Sequence, residues 1–160
     1  MYDFRPAPGA SKPDSYADLL AAADGLTAGE RDTVANMANV AALLWEFLPD
    51  VNWTGFYRVV GGELVLGPFA GRPACIRIAF GSGVCGGAAA QAKTQLVPDV
   101  HAFPGHIACD ALTLSELVVP VLRDGKVVAV IDLDSPMHGR FDQEDAKGIE
   151  ALAKLLADRI

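Results

Sequence analysis

Hydrophobic residues follow no regular spacing over residues 1–13, where prolines recur and no apolar run could serve as a signal peptide. A short helix is predicted from position 14 or 15 to Ala23, and it should end at Asp24-Gly25. No internal repeat, low-complexity segment or second domain is indicated further along. We therefore expect an irregular N-terminal arm over residues 1–13 and a single domain over residues 14–160.

A second helix is predicted to begin in the segment TAGE, where Thr27 and Glu30 have the spacing of a capping box. It is expected to continue to about Leu48 and to end before Pro49. One of its faces is apolar and is predicted to pack in the core. That face carries Met37, Val40, Ala41, Leu44 and Leu48.

From Val51 onward the chain consists mainly of short β-rich segments separated by glycine and proline. The predicted strands are NWTGFYRVV, GELVLGPF, ACIRIAF, TQLVP and the two halves of SELVVPVLRDGKVVAVIDLDS. A short helix is predicted over residues 86–93, and an amphipathic C-terminal helix is predicted to be capped by Asp142. The C-terminal helix should bury Ile149, Leu152, Leu156 and Ile160. This order predicts an α+β fold, in which helices pack on one antiparallel sheet.

Three acids lie on the last two predicted strands, and the turn between these strands decides whether they meet. Asp132 and Asp134 share a face because they are two residues apart. A two-residue loop would place Glu116 opposite Leu133, on the other face, whereas a three-residue loop beginning at Arg123 would place it opposite Asp132. We favour the three-residue loop, in which the acids share a face with Val118, Val128 and Val130.

In that register both faces of the strand pair carry apolar residues and must be covered. A carboxylate cluster on a covered face is costly, which indicates that it binds something. The alternative is three solvated acids at a strand end.

Composition narrows the function classes. The chain has 160 residues, a net charge of -7, and scattered lysines and arginines without a basic patch, which argues against nucleic-acid binding. No apolar run is long enough for a membrane helix. We therefore expect a cytoplasmic protein with no membrane partner. In a reducing compartment its three cysteines are more typical of free, catalytic or metal-bound thiols than of a structural disulfide.

The cysteines leave three interpretations open. Cys75, Cys85 and Cys109 are separated by 10 and 24 residues, with no C-x-x-C pair, so a zinc ribbon or thioredoxin-type motif does not fit. Each could be a small buried hydrophobic residue. Cys109 lies in HAFPGHIACDALTLSE, where His101, His106 and an acid could complete a metal site, although the spacing matches no standard zinc pattern. The third interpretation is a nucleophile.

The segments GVCGGAAA, VPDVHAFPGHIACD, SELVVPV, VIDLDSP and GRFDQED resemble the free methionine-R-sulfoxide reductase family, whose members are single GAF domains. The similarity extends from about position 52 to the C-terminus. The cysteine intervals are its most specific part. The resemblance implies a GAF-like central antiparallel sheet with flanking N-terminal and C-terminal helices.

The resemblance also implies an activity and its residues. The chain would reduce free L-methionine-R-sulfoxide through a sulfenic acid and a disulfide, and thioredoxin would restore the thiols. No metal or other cofactor is implied, and a homodimer is expected. The nucleophile would be Cys109, and either Cys75 or Cys85 would resolve the intermediate. The resemblance further assigns active-site carboxylates at Glu116, Asp132 and Asp134 and aromatic residues at Trp53 and Tyr57.

Elementary chemistry suggests roles for the acids. The α-ammonium of a free amino acid needs a carboxylate partner, for which Asp132 and Asp134 are the candidates, and such a requirement would exclude peptide-bound sulfoxide. Packed carboxylates cannot all ionise, so a protonated Glu116 could donate a proton to the sulfoxide oxygen. The segment DALTLSE departs from the family pattern at Ala111, Leu112 and Leu114, which puts substrate affinity in question more than the chemistry.

Three rival functions remain open. A non-catalytic GAF module could sense a small molecule, and the cysteines could form a reversible redox switch. An interaction-only module could dimerise through the apolar face between Met37 and Leu48. Turnover of substrate with a dithiol would distinguish an enzyme from the sensor and from the redox switch.

Overall fold

The computed structural model describes residues 4–106 and 110–160, which form an antiparallel sheet with helices on both faces. The α-helices are α1 (Lys12–Thr27), α2 (Thr33–Phe47), α3 (Gly83–Gln91) and α4 (Gln143–Leu156), with a 3-10 turn at Val100–Ala102. The strands are β1 (Trp53–Val60), β2 (Glu63–Gly71), β3 (Arg77–Ala79), β4 (Gln95–Val97), β5 (Ser115–Arg123) and β6 (Lys126–Ser135). Their order across the sheet is β3-β2-β1-β6-β5-β4. The predicted α+β class is confirmed.

The sheet separates two hydrophobic cores. Helices α1, α2 and α4 cover one face, where Leu117, Ile131 and Leu133 are fully buried. Helix α3 covers the other face and contacts β3, β4, β5 and β6. Val118 and Val130 are buried on that second face. The prediction that both faces of the β5–β6 pair are covered is therefore confirmed.

The first two helices differ from their predicted bounds. Helix α1 begins at Lys12, after the N-cap Ser11, and continues to Thr27. The Thr27 hydroxyl donates to the carbonyl of Ala23 at 2.7 Å, inside the last turn of α1. The predicted capping box is thus wrong. Asp32 caps α2 instead, since its carboxylate accepts from the Ala35 amide at 2.8 Å, a stronger cap than Thr27 could offer.

The apolar face of α2 packs in the core, as predicted. Met37, Val40, Ala41, Leu44 and Leu48 are all buried within the chain. This face is therefore not available for contact with a second copy, and the dimerisation route suggested from the sequence is wrong. The predicted C-terminal helix is confirmed with its cap at Asp142, and its four predicted core residues are buried.

The β5–β6 hairpin has the two-residue loop that we did not favour. Asp124 and Gly125 both have positive φ values, 50° and 75°, which is the geometry of a type I′ turn and suits the twist of the strands. A register shift then occurs between Val121 and Leu122, and Val128 has no partner. The shift restores the parity that the shorter loop would have lost, so Glu116 pairs with Asp134 rather than with Asp132.

Val128 shows the effect of this bulge on side-chain direction. Its side chain packs against the core that α1, α2 and α4 cover. This is the face opposite to the acid-bearing face on which we had placed it. The two other valines predicted to share the acid face, Val118 and Val130, do so. The conclusion that the acids share a face is correct, although the pairing that we derived for it is not.

A buried carboxylate joins the first helix to the last. Asp145 is fully buried and accepts from the hydroxyl of Tyr16 at 2.8 Å and from the ammonium of Lys12 at 2.8 Å. It also accepts from the backbone amide of Asp142 and completes a capping box at the start of α4. The ring of Tyr16 lies directly against Gly148, where a Cβ atom would overlap it.

In the part of the chain that the structure describes, no helix could span a membrane.

We predict that Gly148→Ala destabilises the protein by about 1–3 kcal/mol, because the added methyl group would force the Tyr16 ring away from Asp145. The matched control is Gly25→Ala in α1, where nothing lies within 4 Å of the added Cβ. The control should stabilise the protein by about 0.4–1 kcal/mol. Urea unfolding measures both changes, and equal effects of the two variants would contradict the close packing of Tyr16.

Candidate functional site

The three predicted acids meet at one end of the central strands. Glu116 pairs with Asp134 across β5 and β6, and Asp132 pairs with Gly55 across β6 and β1. Directly paired residues of antiparallel strands project from the same face, so all three carboxyls lie on the face that α3 covers. Glu116 and Asp132 are buried, with 7% and 6% exposure, and Asp134 is partly buried.

Gly55 allows aromatic packing beside the acids. A Cβ atom at this position would lie 2.8 Å from the ring of Trp53 and would overlap Phe69. Trp53 stacks between Phe69 and Tyr57, with ring-centre distances of 5.1 Å and 5.8 Å. The missing side chain therefore lets the Trp53 ring lie across the strand.

The three acids line a cavity, and the two predicted aromatic residues have different positions relative to it. Tyr57 lines it, and its hydroxyl donates to the carbonyl of Cys75 at 3.1 Å. Trp53 is buried behind Tyr57 and donates from Nε1 to the carbonyl of Arg72 at 3.1 Å. Both contacts position the segment that precedes β3. Trp53 thus supports the wall of the cavity and does not line it.

The first turn of α3 brings Cys85 to the acids. Its Sγ donates to Oε1 of Glu116 at 3.8 Å, and its thiol is free and buried. Gly86 lies so close to the backbone of β3 that a Cβ atom would overlap the carbonyl of Ala79. The absence of a side chain at Gly86 therefore lets the helix approach the sheet closely enough for this contact.

The other cysteines differ from Cys85. Cys75 is partly buried and disulfide-bonded, just before β3 rather than within the strand that we predicted. The predicted nucleophile, Cys109, lies outside the described residues.

The carboxyl cluster, Cys85 and Tyr57 line one cavity with an empty volume of about 380 Å³, which includes space open to solvent.

Two further cavity residues were not predicted. Asp110 and Thr113, from the DALTLSE segment, line the cavity, and the amide of Asn52 donates to both side chains at 3.2 Å. Asp110 also accepts from the amide of Leu112, whose side chain is half exposed. No sequence periodicity signals these contacts, because they join a loop to residues about 60 positions away in sequence.

The metal site considered for His101, His106 and Cys109 stays a hypothesis, because Cys109 lies outside the described residues. The rings of His101 and His106 are 6.3 Å apart. Among residues 4–106 and 110–160, the only three side chains with metal-ligand atoms close to one another are Cys85, Glu116 and Asp132. Their donor atoms all lie within 4.8 Å of one another.

Comparison with known proteins places the chain in a family. The GAF domain family model matches residues 28–160. The free methionine-R-sulfoxide reductase of Escherichia coli is 47% identical over 91% of this chain and 88% of its own. The Bacillus subtilis protein YtsP is 52% identical over 91% of this chain and 90% of its own. The chain belongs to the free methionine-R-sulfoxide reductase family.

A solved structure of this reductase family shows the same fold. The Neisseria meningitidis free methionine-R-sulfoxide reductase, solved in complex with its substrate, superposes with a TM-score of 0.94. The two are 44% identical, and the match covers 99% of this chain and 95% of the other. The GAF fold expected from the resemblance is therefore confirmed.

The acids of this family member are buried at considerable electrostatic cost. Burial, followed by repulsion from Asp132 and Asp134, raises the pKa of Glu116 well above its ordinary value. Burial also raises the pKa of Asp132 to about 6 and that of Asp134 well above its usual range. Oδ1 of Asp132 is buried without a hydrogen-bond partner within the described residues. The cluster therefore favours a bound proton or cation.

Cys85 is unsuited to act as a thiolate in the absence of a cation. Burial raises the pKa of its thiol well above the ordinary value, and the nearby acids Asp132 and Glu116 raise it further. A thiol is a much poorer nucleophile than a thiolate. This observation favours a positioning or resolving role for Cys85 over initial attack.

We predict that this cluster lowers the free energy of unfolding as the pH rises from about 4.5 to 7. Folding raises the pKa of Asp132 from its ordinary 3.8 to about 6. The folded state therefore holds more protons than the unfolded chain between these values, and the unfolding free energy falls as pH increases. Asp132→Asn removes this effect and should stabilise the protein at pH 7 by about 1–3 kcal/mol, but less at pH 4.5.

The exposed Asp158→Asn provides the matched control and should change neither value by more than about 0.5 kcal/mol. Urea unfolding at the two pH values measures all three proteins. Asp142 does not change its protonation between pH 4.5 and 7, because a hydrogen bond from Lys12 lowers its pKa to about 2. A lower stability of Asp132→Asn than of wild type at pH 7 would contradict the strain assigned to this carboxyl.

Proposed function

We propose that this protein reduces free L-methionine-R-sulfoxide to methionine. The observation that carries the proposal is the buried cluster of Glu116, Asp132 and Asp134 on one wall of a cavity. It is supported by membership of a family whose relatives include proteins named free methionine-R-sulfoxide reductase. The positive α-ammonium of a free amino acid complements the charge of such a cluster of acids.

Recognition of the ammonium is assigned to Asp132 and Asp134. Oδ1 of Asp132 has no hydrogen-bond partner in the described part of the chain and can accept from the ammonium. A positive charge here would lower the pKa of both carboxyls towards their ordinary values and would recover part of the cost of burial. A sulfoxide inside a peptide has no such ammonium, so it would leave the charge of the cluster uncompensated.

Proton donation is assigned to Glu116. Burial, followed by repulsion from Asp132 and Asp134, raises the pKa of Glu116 and so favours its protonated form, and the carboxyl lies on the cavity wall. As the sulfur of Cys109 attacks the sulfoxide sulfur, the Glu116 proton would pass to the sulfoxide oxygen. The oxygen would end as the hydroxyl of a sulfenic acid on Cys109, and methionine would leave.

Resolution is assigned to Cys75. Its thiol would attack the sulfenic sulfur of Cys109, forming a disulfide and releasing water. Cys75 is the better candidate because it is disulfide-bonded in this structure, while Cys85 is a free and fully buried thiol. The hydrogen bond from the Tyr57 hydroxyl to the Cys75 carbonyl would hold the resolving segment beside the cavity.

A dithiol of the thioredoxin type would then reduce the disulfide by thiol exchange and return the enzyme to its starting state. We further propose that this cycle takes place in the cytoplasm, where such reductants are available. The homodimer expected from the resemblance stays a prediction.

We predict turnover of free L-methionine-R-sulfoxide in a thioredoxin-coupled assay that follows NADPH consumption. The S epimer and a peptide-bound sulfoxide should give no turnover. Cys109→Ser should be inactive. Cys75→Ser should lose steady-state turnover but still form about one equivalent of methionine per chain in a single reaction, because only resolution is blocked.

Cys85→Ser is the matched control for the resolving role, and it should still form the disulfide after one reaction. Mass spectrometry of the peptides gives that result directly. No turnover of any sulfoxide by folded, fully reduced protein would contradict the proposed activity. Turnover by Cys75→Ser together with loss of the disulfide in Cys85→Ser would exchange the roles of the two cysteines.

A further inference from the structure

We propose that the reduced protein binds one zinc ion at Cys85, Glu116 and Asp132, and that zinc thereby competes with the substrate. The proposed reaction cycle uses Cys85 neither as nucleophile nor as resolving thiol. Its sulfur nevertheless lies against two buried carboxyls, in an arrangement that a cation would stabilise. The metal site does not depend on the proposed reductase activity, whereas the inhibition rests on it.

The geometry of the donor atoms fits a small tetrahedral ion. Zinc binds thiolate sulfur at about 2.3 Å and carboxylate oxygen at about 2.1 Å, which places the two donors about 3.6 Å apart at a tetrahedral angle. Sγ of Cys85 lies 3.8 Å from Oε1 of Glu116. The donor atoms of all three residues lie within 4.8 Å of one another. Closing the widest of these separations to about 3.6 Å needs a shift of roughly 1 Å in the side chains.

An unsatisfied atom provides independent support. Asp132 is 6% exposed, lines the cavity, and has no hydrogen-bond partner for Oδ1 among the residues that the structure describes. A buried carboxylate oxygen without a partner is expensive, and a bound cation would satisfy it. The cavity also reaches solvent, so a hydrated ion has a route of entry and a water molecule can occupy the fourth position.

The donor set predicts selectivity for zinc and cadmium over magnesium and calcium. One sulfur ligand favours the softer ions, because magnesium and calcium prefer oxygen. Binding requires the Cys85 thiolate and two carboxylates, so the thiol proton and any carboxyl proton are released to solvent. Zinc affinity should therefore increase with pH, because protons compete with the ion for the same donor atoms.

The competing occupant of the cluster is the substrate ammonium. Asp132 cannot serve a zinc ion and an ammonium at once, so the two ligands should exclude each other. Zinc would then hold the protein inactive without oxidising any cysteine, and a chelator would restore activity at once. This behaviour separates metal inhibition from disulfide formation, which a chelator does not reverse.

The test uses the full-length Cys75→Ser/Cys109→Ser variant, in which Cys85 is the remaining thiol. Competition with a chromophoric chelator should show one bound zinc ion per chain, and cadmium should give the ultraviolet charge-transfer band of a thiolate–cadmium bond. Adding Cys85→Ser should remove the band and weaken zinc binding by at least about 10-fold. Asp132→Asn in the same background should weaken it similarly. Circular dichroism confirms folding, and Glu116→Gln provides a further ligand variant.

A double histidine variant tests whether zinc binds elsewhere on the protein. His101 and His138 each lie within 4.0 Å of Asp99 on the surface and form the main alternative. His101→Asn/His138→Asn should leave zinc affinity unchanged. Loss of binding in this variant, or unchanged binding after Cys85→Ser, would overturn the proposed site. Unchanged zinc affinity in the presence of saturating free methionine would overturn the competition while leaving the metal site itself supported.

Discussion

The burial of three neighbouring carboxyls, Glu116, Asp132 and Asp134, is the constraint around which this site is built. Three carboxyls face one another at the end of the central strands, and burial removes much of the water that would otherwise screen them. The core between the opposite face of the sheet and helices α1, α2 and α4 provides the stability that offsets this cost. The acids are therefore tolerated rather than stabilising, and a positive ligand changes that balance.

The same constraint explains the elements around the acids. The first turn of α3 borders the cavity, and its N-terminal partial charge favours negative charge at this position. Gly86 permits the close approach of α3, and Gly55 permits the packing of Trp53 behind Tyr57. These glycines were visible in the sequence, but their purpose depends on distances between elements that only the folded chain brings together.

Sequence patterns predicted the helices, the strands and the shared face of the acids, because hydrophobic periodicity reports which side of an element is buried. They did not predict the pairing. The short Asp124-Gly125 loop and the bulge at Val128 each shift the register, and their combined effect preserves the face while changing the partner of Glu116. Local sequence could not distinguish this from a longer loop, since Asp-Gly suits both.

The contacts missed from the sequence are those made between distant segments. Asn52 fixes Asp110 and Thr113 through its side chain, and Asp32 rather than Thr27 caps α2. The resemblance to a family supplied candidate roles for the cysteines, while the structure distinguished the free buried thiol of Cys85 from the disulfide-bonded Cys75. The chemistry of the family and the burial of the acids thus support the same proposed function from separate observations.

The most direct test of this account is a titration of the carboxyl ¹³C resonances of labelled Asp and Glu, with and without free L-methionine. Each resonance is assigned by its loss in the corresponding amide variant. The account predicts that Glu116 titrates well above the ordinary range of a glutamate, and that methionine lowers the titration midpoints of Asp132 and Asp134. Midpoints near pH 4 for all three acids, about the ordinary values of these groups and unchanged by methionine, would contradict it.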